Sequence, residues 1–226
     1  MTFGTEILII ELIGVIAFAI SGAIVAIKKN FDLFGIIVLG VITAVGGGAI
    51  RDIILGIIPP AMFKNSLYVF IAFVTSCLSF IAAAVAAVKF KKNSKFFKDV
   101  VNFFDAIGLG VFAVTGTNTA IIQGFSDNAF LAIFVGVITG IGGGMLRDIF
   151  AGKVPFVLYK DIYASAAIVG AALYYYMYIN GVNAFISVTS AIMATILIRI
   201  FASFYHLGLP KLPRIKIYDE DNKTLQ

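Results

Sequence analysis

The sequence is poor in charge. Of its 226 residues only 13% are Asp, Glu, Lys or Arg, against 61% that are hydrophobic. A soluble domain carries about 25% charged residues and about 45–50% apolar ones, so a soluble fold of this size could not hide this much apolar surface. It has one cysteine, Cys77, which excludes an internal disulfide and leaves the redox compartment unreadable. Cys77 lies in an apolar run and reads as a small core residue. With a single histidine, His206, there is no His/Cys metal constellation, and His206 reads as an interfacial residue at the end of the last apolar run. No Lys or Arg precedes the first apolar run, which carries Glu6 and Glu11, unlike a cleaved signal peptide. No nucleophile has a plausible base and no phosphate-cradling loop follows a strand, so no enzyme and no cofactor are expected. The formal net charge of +5 does not indicate nucleic-acid binding, because no basic helix face exists to carry it.

What is present is a mean hydropathy of +1.03, spread along the whole chain. A spanning helix needs about 20 mostly apolar residues. Seven such runs are read, over residues 7–27, 34–58, 67–88, 101–122, 130–150, 162–179 and 182–204. The expected fold is an all-α integral membrane protein surrounded by lipid. Tyr174, Tyr175, Tyr176 and Tyr178 read as an aromatic belt at the end of the sixth span. The segment after Leu209 holds two prolines and mixed charge and reads as a solvated, poorly ordered tail.

Lys and Arg fall unevenly. Lys28 and Lys29, then Lys89, Lys91, Lys92, Lys95 and Lys98, then Lys153 and Lys160, and finally Lys211, Arg214 and Lys216 all map to one side. The other side has Lys64. The rule that cytoplasmic loops are basic then puts the N-terminus outside and the C-terminus inside.

Two segments of the chain nearly match. GVITAVGGGAIRDIILGIIP starts at Gly40 and GVITGIGGGMLRDIFAGKVP at Gly136; upstream, ELIGVIAFAISG from Glu11 matches DAIGLGVFAVTG from Asp105. Glu11 then corresponds to Asp105, Gly14 to Gly108, Phe18 to Phe112, Ser21 to Thr115 and Gly22 to Gly116. Each copy holds three spans, and an odd number makes the second copy enter the membrane from the opposite side. The expected architecture is seven transmembrane helices as two inverted three-helix repeats plus one extra helix. In residues, this is a first repeat (1–90), a basic cytoplasmic linker (91–100), a second repeat (101–180), a seventh helix (181–206) and a tail (207–226).

The repeats point to candidate functional residues. Gly46, Gly47 and Gly48, and Gly142, Gly143 and Gly144, each put three glycines in a row inside a span. Glycine costs about 1 kcal/mol relative to alanine in a helix interior, so the second and fifth spans are expected to break there. Freed carbonyls near Gly46 and Gly142 would be natural, transient ligands for a desolvated cation. Close packing is the other reading, since Gly40, Ala44 and Gly48, and Gly136, Gly140 and Gly144, recur every fourth residue. Thr43, Thr139, Ser21, Thr115, Thr117 and Asn118 are uncharged polar groups in spans that either bond neighbouring helices or line a wet path. Arg51-Asp52 and Arg147-Asp148 follow the glycines, as interfacial anchors or as part of a pathway. The repeat puts Glu11 at the depth of Arg51 and Asp105 at the depth of Arg147, so Glu11–Arg51 and Asp105–Arg147 are expected as related ion pairs at two pore mouths. The rival pairs join each arginine to its neighbour, Asp52 or Asp148, which a helix presents about 100° away.

At the paired GGG-x-x-RD motifs the chain resembles the prokaryotic members of the trimeric intracellular cation channel (TRIC) family. The same sequence domain is labelled a glycine transporter domain in uncharacterised bacterial membrane proteins. The resemblance covers both repeats and the seventh span. It implies a homotrimer with a pore in each protomer, lined by the second and fifth spans kinked at their glycines, and permeable to potassium and sodium. The animal members supply counter-ion current for calcium release in the endoplasmic or sarcoplasmic reticulum, whereas this short chain matches the prokaryotic pattern and a prokaryotic plasma membrane. A secondary transporter of a small neutral solute such as glycine is the alternative function, and a non-transporting scaffold a third. Membrane lipid and monovalent cations are the expected partners.

Overall fold

The computed structural model describes residues 3–89, 94–158 and 162–205. The regular elements among them are helices: α1 (Phe3–Lys28), α2 (Leu33–Ile54), a short α3 (Ala61–Lys64), α4 (Leu67–Lys89), α5 (Ser94–Ala120), α6 (Ala129–Phe150), α7 (Ala164–Ile179) and α8 (Ala184–Phe204). A π-helical turn, Ile121–Phe125, prolongs α5 and contains a kink at Gly124, whose φ is 93°. Among the described residues six helices are long and apolar enough to cross a membrane, and α7 is a shorter apolar one. At about 1.5 Å per residue, its 16 residues reach about 24 Å, short of a hydrocarbon core of about 30 Å.

Local chemistry sets the helix ends. Asp32 caps α2 by accepting from the Gly35 N–H at 2.7 Å, and Asn128 caps α6 by accepting from the Leu131 N–H at 3.0 Å. Both helices then stop at a glycine in left-handed conformation, Gly56 at φ 68° and Gly152 at φ 62°. The next N–H turns back to the helix in each, Ile57 to the Asp52 carbonyl and Lys153 to the Asp148 carbonyl, both at 2.8 Å. The second span therefore ends four residues before the expected Ile58, because Gly56 supplies a stop that hydropathy does not register. α5 begins at Ser94, so much of the segment read as a linker is its first turns.

α5 is the central helix and α4 the peripheral one: 72% of the most apolar stretch of α5 is buried, against 11% for α4. α5 packs on α1, α6, α7 and α8, while α2 packs on α1, α4 and α6. Apolar side chains also cover the outside, among them Phe34, Phe130 and Phe204, as lipid requires and water does not.

Two readings need correction. Tyr174 and Tyr175 are not belt residues but core: both are buried, Tyr174 donating to Asn118 Oδ1 at 2.7 Å and Tyr175 to the Ser126 carbonyl at 2.6 Å. Only Tyr176 and Tyr178 face outward, since four tyrosines in five positions wrap around a helix. Cys77 is half-buried, because α4 exposes most of its surface. His206 and the tail lie outside the described residues.

Candidate functional site

The expected break at the glycine triplets is absent. α2 and α6 are continuous α-helix through Gly46, Gly47 and Gly48 and through Gly142, Gly143 and Gly144. Their glycines serve close approach instead. A Cβ on Gly47 would collide with the Thr139 carbonyl oxygen, and one on Gly143 with the Thr43 carbonyl oxygen, so α2 and α6 cross backbone to backbone. The weak helix propensity of three glycines is overridden by a contact that only glycine permits. Thr43 and Thr139 are buried at this crossing, and each hydroxyl donates to its own helix four residues back, to Leu39 and Val135, at 2.6 Å.

The same pairing recurs elsewhere. A Cβ at Gly14 would meet Phe112 and one at Gly108 would meet Phe18, with the two rings 5.3 Å apart. Gly22 faces the Thr43 hydroxyl and Gly116 that of Thr139, a Cβ lying 2.5 Å away in each. Contacts between α1, α2, α5 and α6 thus come in matched pairs that follow the sequence repeat.

Each arginine holds two carboxylates. Arg51 Nε donates to Asp52 Oδ1 at 2.8 Å and Nη1 reaches Glu11 Oε1 at 3.5 Å. Arg147 Nε donates to Asp148 Oδ1 at 2.9 Å and Nη1 to Asp105 Oδ1 at 2.6 Å. The neighbour pairs and the cross-helix pairs, treated as rivals, therefore coexist: the guanidinium fork presents Nε to one carboxylate and Nη1 to the other. The second oxygen of each helix-end aspartate then catches the returning chain. Asp52 Oδ2 accepts from the Ala61 N–H at 2.7 Å and Asp148 Oδ2 from the Phe156 N–H at 2.9 Å.

Sequence reasoning missed three participants. Tyr68 donates to Glu11 Oε2 at 2.6 Å. Tyr163, its repeat counterpart, is buried near Arg147, and its hydroxyl has no hydrogen-bond partner among the described residues. Extending the repeat beyond Pro59 and Pro155 with a one-residue gap would have aligned these two tyrosines. The third, Arg199 of α8, is buried with its Cζ 4.8 Å from the Tyr163 ring centre. A lone arginine in an apolar run was the available signal.

The two ends differ in access. A small cavity opens beside Arg51, with Glu11, Asp52, Tyr68, Val45 and Phe112 on its wall. At the other end Asp105 and Arg147 are wholly buried. Ser21 is buried there and accepts from Arg147 Nη1 at 2.6 Å. Just outside this end, burial chiefly lowers the pKa of Lys153; Asp148 opposes the shift, while Lys29 and Arg147 add to it. Among the described residues no group of His, Cys, Asp and Glu is arranged to hold a metal ion.

The family model described as "Glycine transporter" matches residues 8–84 and 102–179, which fall on the two copies of the repeat. A UPF0126 membrane protein of Vibrio cholerae is 36% identical, over 89% of this chain and 81% of its own. The UPF0126 inner membrane protein YadS of Escherichia coli is 37% identical, over 89% and 93%. Among solved structures, the TRIC trimeric intracellular cation channel orthologue from Rhodobacter sphaeroides has a TM-score of 0.81 at 32% identity, over 90% of this chain and all of that one. A prokaryotic TRIC channel in 0.5 M KCl has a TM-score of 0.82 at 32% identity, over 92% of this chain and all of that one. These solved relatives are ion channels, a non-enzymatic class. The chain therefore belongs to the membrane-protein family whose model is described as a glycine transporter, and it is a relative of the TRIC cation channels.

Proposed function

We propose that the chain is a monovalent cation channel in a prokaryotic plasma membrane, a homotrimer with a pathway inside each protomer. The observation that carries the cation reading is the charge in the open cavity. Glu11 and Asp52 bring two carboxylates there against the one guanidinium of Arg51, a formal surplus of negative charge. A low-dielectric mouth of that sign concentrates cations. At the closed end Arg147 holds Asp105 and Asp148, and a second arginine, Arg199, lies 4.8 Å from the ring centre of the neighbouring Tyr163. Kinship with trimeric cation channels supports the channel class and the trimer, and potassium and sodium are the permeant ions of this reading; the inner-membrane relative YadS supports the location.

The architecture in this reading is two inverted three-helix repeats with α8 added. Its support is the matched contacts across α1, α2, α5 and α6 and the three apolar helices of each copy, α1, α2 and α4 against α5, α6 and the shorter α7. The basic residues at the ends of α1, α5 and α6 support a cytoplasmic Arg147 end, so that the N-terminus and the Arg51 cavity face outside and the C-terminus is cytoplasmic. Ions enter past Glu11, Arg51 and Asp52, run between α2 and α6 beside Thr43, Thr139, Ser21 and Thr115, and leave past Asp105, Arg147 and Asp148. Because α2 and α6 touch at Gly47 and Gly143, conduction requires them to part there, and coordination by carbonyls near Gly46 and Gly142 belongs to that parted state.

Transport of a small neutral solute is the second reading, favoured by the description of the family model. Liposomes holding the purified protein separate the two. The channel reading expects passive potassium flux that does not saturate and no glycine uptake; saturable glycine uptake without potassium flux would replace it with the transporter. Light scattering in mild detergent should give a trimer, and monomer at every concentration would count against the assembly.

A further inference from the structure

The repeat puts a glutamate at one arginine site and an aspartate at the other. Glu11 reaches Tyr68, whose hydroxyl donates to Oε2 at 2.6 Å, while Oε1 lies 3.5 Å from Arg51 Nη1. The second site keeps the arginine and the tyrosine, as Arg147 and Tyr163, but its acid is Asp105, one methylene shorter. Asp105 Oδ1 accepts from Arg147 Nη1 at 2.6 Å. The bond from tyrosine to carboxylate is then not made: Asp105 Oδ2 and the Tyr163 hydroxyl are both buried and have no hydrogen-bond partner among the described residues.

A third unpartnered group, Arg147 Nη2, joins these two. A Cβ on Gly144 would lie 2.6 Å from the Tyr163 hydroxyl, 3.5 Å from Asp105 Oδ1 and 3.7 Å from Arg147 Nη2, so the three side chains converge over that glycine. Over its repeat counterpart Gly48 the space is open, with Arg51 Nη2 3.9 Å away. Arg199 adds two further donors at the Arg147 end. Its Cζ is 4.8 Å from the Tyr163 ring centre, and its Nε and Nη2 are buried and unpartnered among the described residues.

Buried polar atoms without partners are uncommon and costly, and a cluster of them calls for a ligand. That ligand must donate to a carboxylate oxygen and accept from a guanidinium. A cation would face Arg147 and an anion would face Asp105, whereas water is neutral and does both. We propose that Asp105 Oδ2, Arg147 Nη2 and the Tyr163 hydroxyl hold a trapped water molecule, in the place of the methylene that Asp105 lacks relative to Glu11. Three polar partners are usual for a buried water. The carboxylate and the guanidinium can keep it without the phenol. In the channel reading this water lies beside the exit past Asp105 and Arg147, where it can hydrate a departing ion; the site itself depends on no ion.

Radiolytic footprinting of the purified wild-type protein tests it. Millisecond X-ray pulses make hydroxyl radicals from water where it is held, and mass spectrometry reads the side chain that they oxidise. Tyr174, as buried as Tyr163 but bonded to Asn118 at 2.7 Å, is the dry control. Tyr163 should be oxidised several-fold faster than Tyr174. After rapid mixing into water labelled with the heavy oxygen isotope, label should enter Tyr163 later than Tyr68, which borders the open cavity. Asp105→Glu restores the methylene and with it the direct bond to the phenol, so Tyr163 should fall to the rate of Tyr174. Wild-type Tyr163 as unreactive as Tyr174 would overturn the proposal. Label entering Tyr163 as fast as Tyr68 would overturn it too, by showing bulk water at that end. An unchanged Tyr163 rate in Asp105→Glu would show that no water fills the place of the methylene.

Discussion

Asp105 and Arg147 form an ion pair 2.6 Å long in which neither side chain has exposed surface. The equivalent pair, Glu11 and Arg51, is 3.5 Å long and borders a cavity. The same two kinds of group, placed by the same repeat, are thus sealed at one end and reachable at the other. Asp105→Asn leaves a wholly buried guanidinium short of a carboxylate, a loss of about 3–5 kcal/mol. Glu11→Gln should cost about 1–3 kcal/mol, because water can reach Arg51. Thermal unfolding in detergent measures both, and an equal or reversed order would contradict the difference in burial.

The α2–α6 crossing makes its own prediction. Gly47→Ala and Gly143→Ala each drive a methyl into a backbone carbonyl that cannot rotate away. Each should destabilise the protein by about 1–3 kcal/mol, the usual range for overpacking, and by similar amounts. Alanine near Gly48 meets only the tip of Arg51, 3.9 Å off, so Gly48→Ala should be nearly neutral. The same unfolding assay decides it, and a neutral Gly47→Ala would remove the tight crossing.

The helical membrane character was legible because lipid imposes a period and a length on every span. The acid–arginine pairing was legible because the repeat put matching charges at matching depth. Three things were not. Three glycines weaken a helix in isolation, so a break was expected, whereas the contact of Gly47 with the Thr139 carbonyl exists only once α6 is folded against α2. The neighbour pairs were set aside on helical geometry, which ignores how far a guanidinium reaches from its backbone. Arg199 was hidden by its place outside the repeat, and its partner Tyr163 is distant in sequence. Hydropathy likewise cannot tell the buried Tyr174 from the exposed Tyr176.

The paired tyrosines separate a made hydrogen bond from an unmade one. Tyr68→Phe removes the bond to Glu11 at 2.6 Å and should cost about 1.5–3 kcal/mol, the range for a bond to a charged group. Tyr163→Phe removes a hydroxyl that has no partner among the described residues, so its cost should be close to zero. Comparison of the two melting temperatures checks this, and a larger loss at Tyr163 would contradict it.

Orientation can be read from thiol accessibility in intact cells. In a Cys77→Ala background, a cysteine at Asn65 should react with an impermeant reagent added outside. One at Asn93, in the basic segment outside the described residues, should not. The opposite pattern would turn the protein over and put the Arg51 cavity in the cytoplasm.

The most direct test of the central claim is a planar-bilayer recording of the purified protein in asymmetric KCl. A cation channel predicts unitary current steps whose reversal potential lies towards that of potassium, and Glu11→Gln should lower the step size by removing negative charge from the open mouth. Absence of steps from correctly assembled protein, or a reversal potential towards that of chloride, would contradict the account.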